Sequence, residues 1–196
     1  MDSQAPSAEH QLPLQNRRIL LGVSGSIAAY KAAPLVRLLV QAGAEVQVIL
    51  TEAAAAFVTP LTLGTLSKKP VLTGFLRDAA SGQWHNHVEL GLWADAYVIA
   101  PASANTVGQL ANGLCPNLLS AVYLSARCPV FLAPAMDLDM YAHPAVQQNI
   151  KRLRSFGNHV FNSPSGALAS GLSGPGRMLE PEQIVAELST FFSQLS

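Results

Sequence analysis

The chain has 196 residues with 12 basic and 12 acidic side chains, so its formal net charge is zero. That balance offers nothing to a polyanion such as nucleic acid or an anionic membrane. Charged residues make up only 12% and hydrophobic ones 49%, against about 25% charged in soluble domains, so other copies of the chain are expected to cover part of the surface.

Residues 1–16 lack the basic start and apolar core of a signal peptide and are expected to form a disordered leader, leaving a single domain over 17–196. The run RILLGVS at 18–24 is continuously apolar after a basic start, as a central parallel strand requires. Gly22, Gly25 and Ser26 then form a small-residue turn, and helical spacing over 27–41 ends at Gly43. A second strand at 45–50 leads through Thr51 into an alanine-rich helical start. A short helix at 59–66, an extended piece at 70–76 and a polar loop at 77–86 follow, and then a helix at 87–93.

The stretch 96–126 holds no charged residue. Pro101, Asn105, Gln109, Asn112, Gly113 and Asn117 rule it out as a membrane span, because lipid gives such groups no partners. It divides instead into a strand at 96–100, the PASANT turn with a helix to residue 111, and a helix to residue 125 with Pro116 in its first turn. A fourth strand at 129–133, a helix at 144–156 and a strand closing the sheet at Val160 and Phe161 come next. The segment SPSGALASGLSGPGRM, 163–178, reads as a long loop; loops of that length usually act as lids. The last helix occupies 180–195.

Strands alternating with helices predict an α/β fold, a three-layer sandwich around a parallel sheet with right-handed crossovers. Ligands in such folds bind beyond the carboxyl ends of the strands. Those ends carry Gly25 and Ser26, then Thr51, then 103–106, then Pro134 to Asp137. Backbone N–H groups and hydroxyls at a strand-to-helix turn suit a phosphate, while a tight glycine turn explains the same residues without a ligand. Cys115 and Cys128 show neither metal-ligand spacing nor a disulfide framework, which fits a reducing cytoplasm. No metal site is expected.

The segments GVSGSIAAYK, HVELGLWAD, VIAPASANT, ANGLCPNLLS, APAMDLDMYAHPAVQQN and LASGLSGPGRM occur in this order. Together, over 17–192, the chain resembles the flavin-dependent cysteine decarboxylases, and among them the phosphopantothenoylcysteine decarboxylases of coenzyme A biosynthesis. The resemblance implies a flavodoxin-like (Rossmann-like) fold with FMN between the subunits of a homotrimer or a dodecamer of trimers. It implies conversion of 4′-phosphopantothenoylcysteine to 4′-phosphopantetheine, beside a phosphopantothenoylcysteine synthetase that is fused in many bacteria.

Carried onto this chain, FMN contacts fall on Gly25, Ser26, Ile27, Thr51, Ser103, Ala104, Asn105, Thr106 and Ala135. Asp137, Met140, Ala167 and Ala169 meet the substrate, and His87, Asp137 and Ser170 form the catalytic set. A histidine titrates near neutrality and so suits proton exchange with a thiol or carboxylate. Three positions depart from the family pattern. Ala53 stands where a serine is common, Asp137 replaces the asparagine that binds the substrate carboxylate, and Ser170 replaces a proton-donating cysteine. A hydroxyl is a far weaker acid than a thiol. Two other readings accommodate those departures: an oxidative, peptidyl-cysteine type decarboxylase that stops at the enethiol, and a catalytically silent FMN-binding regulatory subunit. Flavin prenyltransferases share the implied fold but not the HVEL, PAMDLDM and loop motifs.

Overall fold

The computed structural model describes residues 12–78 and 81–195. In chain order these form β1 (Arg18–Val23), a 3-10 turn (Ile27–Lys31), α1 (Ala32–Gln41), β2 (Glu45–Leu50), a second 3-10 turn (Glu52–Ala56) and α2 (Pro60–Ser67). A hairpin of β3 (Leu76–Asp78) and β4 (Gln83–Trp84) precedes α3 (His87–Trp93), β5 (Ala96–Ala102), α4 (Ala104–Ala111) and α5 (Leu118–Ser125). Then come β6 (Val130–Pro134), α6 (Leu138–Ala142), α7 (Pro144–Ser155), β7 (His159–Val160), a hairpin of β8 (Gly166–Ala167) and β9 (Ser173–Gly174), and α8 (Pro181–Ser193).

The main sheet runs β2-β1-β5-β6-β7 with every pairing parallel. Among its five strands this is the order 2-1-3-4-5 of flavodoxin-like folds, as expected. β1 is central because its apolar run is buried on both faces. Ile19, Leu21 and Val23 enter one core with α1 and α8, while Leu20 enters the other. The second core takes Tyr97 and Ile99 from β5 together with α4, α5 and α7. Tyr97 is wholly buried, and its hydroxyl donates to Leu119 O at 3.1 Å.

Several local expectations need correction. The helix expected over 27–41 is a 3-10 turn followed by α1. Pro34 has no N–H to give to a carbonyl four residues back, so the α-helix starts late enough to hold it in the first turn. α5 begins after Pro116, because Asn117 caps it by accepting from Ser120 N at 3.0 Å. The polar loop at 77–86 contains the β3–β4 hairpin, the closing strand is His159–Val160, and α6 was not anticipated. The long loop at 163–178 is itself folded into the β8–β9 hairpin.

Only the last part of the leader expected over 1–16 falls among the described residues. Residues 1–11 lie outside the described residues. Residues 12–16 form a turn with Leu14 fully buried and its N–H on Ala42 O at 2.9 Å. A leucine placed over the end of α1 gains enough from burial to order that turn. No helix among the described residues is long and apolar enough to cross a membrane.

Candidate active site

The strand order reverses between β1 and β5, and one side chain ties the two strand ends together. Ser24 Oγ donates to Pro101 O at 2.7 Å and accepts from Ser103 N at 2.9 Å, with only 1% of the residue exposed. The next residue, Gly25, passes so close to the second 3-10 turn that a Cβ there would sit 2.7 Å from the Cβ of Ala53. Ser26 caps the first 3-10 turn by accepting from Ala28 N at 3.2 Å. The chain is thereby turned so that Ile27 and Tyr30 stand outward, 60% and 59% exposed.

Beside them opens a cavity of about 710 Å³, within the range of small-molecule sites. Ser26, Ile27, Tyr30 and Lys31 line one side, and Ala135, Met136 and Asp137 from the end of β6 line another. The β8–β9 hairpin supplies Ala167, Ala169 and Ser170 from its tip, with Gly176 and Arg177 on its return. Seven of the expected site residues, Ser26, Ile27, Ala135, Asp137, Ala167, Ala169 and Ser170, are therefore brought together around one space.

The hairpin is pinned over this space from both ends. Gly176 O accepts from Met136 N at 2.9 Å, and its φ of 129° with a Cβ direction aimed at the Met136 carbonyl admits only glycine. At the tip Leu168 N donates to Leu172 O at 2.8 Å, leaving Ser170 exposed, its Oγ accepting from Leu172 N at 3.4 Å. Beyond the hairpin, Lys31 Nζ lies 2.8 Å from Glu180 Oε1 and 3.2 Å from Met178 O. Arg177 Nη2 reaches the same Glu180 oxygen at 3.1 Å. The hydrogen bond from Lys31, aided by the charges of both cations, holds the Glu180 carboxyl below its ordinary 4.5 against the opposing effect of burial.

Asp137 occupies the N-cap position of α6, yet its side chain makes no capping hydrogen bond and no ion pair among the described residues. The cavity thus contains one carboxylate with no protein partner and two cations committed to Glu180. Met140, half exposed on α6, does not line the cavity.

The remaining expected residues lie elsewhere. Gly25 shapes the turn, and Thr51 caps the second one by accepting from Ala54 N at 3.3 Å. Ser103 caps α4, accepting from Thr106 N at 3.3 Å, while Asn105 is exposed on its first turn beside Ala104. His87 begins α3, whose Leu90 and Trp93 pack on the second core, whereas the cavity's Ala135 and Met178 belong to the first. The sheet separates them, so one chain does not bring His87 to the cavity. His87 Nδ1 is buried without a hydrogen-bond partner, and Trp84 lies with its ring 5.7 Å away.

Sequence reasoning missed Lys31 and Glu180, which anchor the site, and the tying role of Ser24. Lys31 ends the 3-10 turn buried, 5% exposed, whereas Ile27 at its start is 60% exposed. Nothing local pointed from Lys31 to Glu180, which follows it by most of the chain.

The profile described as Flavoprotein matches residues 7–193. The chain belongs to the flavoprotein family. A cysteine/cysteine sulfinic acid decarboxylase from an unknown prokaryotic organism is 60% identical over 137 residues, which is 70% of this flavoprotein and 38% of that protein. The coenzyme A biosynthesis bifunctional protein CoaBC of Haemophilus influenzae is 46% identical over 183 residues, 93% of this chain and 46% of that protein. The chain thus spans less than half the length of these curated relatives. Among solved structures, a cysteine-to-serine mutant of a PPC decarboxylase complexed with pantothenoylaminoethenethiol superimposes with a TM-score of 0.81 at 34% identity, covering 91% of this flavoprotein and all of that chain.

Proposed function

We propose that this flavoprotein is an FMN-dependent carboxy-lyase that converts 4′-phosphopantothenoylcysteine to 4′-phosphopantetheine in coenzyme A biosynthesis. One observation carries the reading: the cavity under the hairpin gathers strand-end residues suited to a flavin and loop residues suited to a cysteine-type substrate. Membership in the flavoprotein family and the similarity to CoaBC and a PPC decarboxylase support it. The working unit is a single FMN-binding domain over 17–196, acting in the cytoplasm beside a phosphopantothenoylcysteine synthetase, whether fused or separate.

The residues present fit FMN. Ser26 and the turn backbone behind it offer N–H and hydroxyl groups for a phosphate, while Thr51 and 103–106 stand at neighbouring strand ends outside the cavity. Ala135 leaves room for a flat ring, and exposed Ile27 gives it an apolar face. Bound FMN supplies the two-electron chemistry, accepting a hydride from the substrate and later returning it.

The chain's own groups bind, orient and move protons. Ala167 and Ala169 seat the cysteinyl end of the substrate under the hairpin, Asp137 meets its carboxylate, and the pinned hairpin excludes water. Ser170 closes the tip. His87 takes up the thiol proton, and because the sheet divides it from its own chain's cavity, it serves the cavity of a neighbouring copy. Its unpartnered Nδ1 favours that assignment, since a buried imidazole nitrogen without a partner is costly. The assembly is therefore a homo-oligomer, a trimer or a dodecamer of trimers.

Incubating the purified flavoprotein with 4′-phosphopantothenoylcysteine tests the reading. Release of carbon dioxide together with a product of the mass of 4′-phosphopantetheine is expected. Absence of carbon dioxide release, with FMN bound, would leave the silent-subunit reading in its place.

A further inference from the structure

Decarboxylation of a cysteine-type substrate that ends in a saturated thiol needs a proton at a particular carbon. Once carbon dioxide has left, the electron pair of the broken bond lies across the carbon that bore the carboxylate and the carbon that bears sulfur, as an enethiolate. Protonation at the former gives a thioaldehyde. A hydride, which bound FMN would supply in its reduced form, is then needed at the carbon bearing sulfur to give the saturated thiolate. The proton donor must therefore reach the position the carboxylate has just vacated.

The cavity limits the candidates among the groups that its own chain supplies. Neither cysteine lines it: Cys115 is exposed, and Cys128 packs on the core across the sheet. The Lys31 ammonium and Arg177 guanidinium are both bonded to Glu180. Ser170 and Tyr30 offer a hydroxyl and a phenol, which as residue types are weaker acids than a carboxyl. Asp137 is the carboxyl without a partner. The similar decarboxylase with serine for cysteine was found complexed with pantothenoylaminoethenethiol, an unsaturated compound of the enethiol type.

Resting on the function proposed above, we infer that Asp137 is the acid of the second half-reaction and takes over the task that a thiol at position 170 would perform. Two carboxylates held together share a proton, so Asp137 bonds the substrate carboxylate as its acid form. When carbon dioxide departs, that O–H faces the vacated carbon. The carbon–hydrogen bond forms as the Asp137 O–H bond breaks, and the resulting aspartate takes up a proton from solvent before the next turnover. Aspartate at 137 and serine at 170 thus belong together.

The test compares wild type, Asp137→Asn, Ser170→Cys and the double variant, each loaded with FMN. Carbon dioxide release and product mass are recorded separately. Asp137→Asn keeps an amide that binds the carboxylate, so carbon dioxide is still released in the first turnover, which also certifies folding. The saturated product falls on the order of a hundredfold, and a product lighter by two hydrogens takes its place. Adding Ser170→Cys to Asp137→Asn restores the saturated product. Undiminished saturated product in Asp137→Asn overturns the proposal, as does failure of the double variant to recover it, or a wild type that itself yields the lighter product. A wild type that releases no carbon dioxide overturns the proposed function as well, which separates the two failures.

Discussion

Single atoms at the strand ends decide whether the cavity keeps its shape. Ser24 Oγ makes two hydrogen bonds in a buried position, so Ser24→Ala leaves Ser103 N without its acceptor, while Pro101 O keeps the Ser24 N–H at 3.2 Å. A loss of about 1–3 kcal/mol is expected, read as a lower urea midpoint with an unchanged slope. Gly176→Ala meets both a φ of 129° and the Met136 carbonyl. It should cost about 1–3 kcal/mol and loosen the hairpin, whereas Gly113→Ala, with open space around the Cβ, carries the backbone penalty alone and melts closer to wild type. Some of these roles were legible in the letters. Gly25 and Ser26 read as a strand-end turn that suits a phosphate, although a tight glycine turn accounts for the same residues. Ser24 did not, since a serine ending an apolar strand looks the same whether or not a neighbouring strand presents a carbonyl to it.

At the scale of elements, the β8–β9 hairpin is the part that depends on a remote anchor. Lys31 in the first 3-10 turn, Arg177 after the hairpin and Glu180 before α8 meet in one cluster. The Glu180 carboxyl is held below 4.5 chiefly by the Lys31 hydrogen bond. A carboxyl lowered on folding contributes stability above its unfolded value and loses it as pH falls through the folded one. The melting temperature should therefore drop as the solution is acidified below about pH 4.5, and Glu180→Gln should flatten that limb. Part of the limb will persist, because Asp95 is lowered too: burial pushes its carboxyl up, and the bonds and charge from Arg18 outweigh that push. The strands and most helices were legible because two-sided burial and 3.6-residue spacing leave a clear pattern, as at Glu45–Leu50 and His87–Trp93. The hairpin within 163–178 was not, because its ordering comes from Met136 and Glu180 rather than from its own composition.

For the whole molecule, the division of the site by the sheet has consequences. Low charge and outward residues such as Leu61, 80% exposed, and Trp84, 52% exposed, support association of copies. Leu61→Glu should weaken that association, seen as a smaller mass in light scattering. His87→Asn should slow carbon dioxide release by on the order of a hundredfold or more while FMN remains bound. Mixing it with Asp137→Ala, refolded together, should recover part of the activity, because some cavities then combine an intact Asp137 from one copy with an intact His87 from another. That separation could not be read from sequence. HVEL and PAMDLDM are both recognisable motifs, but only the fold shows that Asp137 lines the cavity and His87 of the same chain does not.

Titrating the purified chain with FMN while following the quenching of flavin fluorescence tests the central claim most directly. Saturable binding at one FMN per chain, weakened when Ser26 is replaced by a bulky residue, is the expected result. A chain that leaves flavin fluorescence unchanged at any ratio would contradict it.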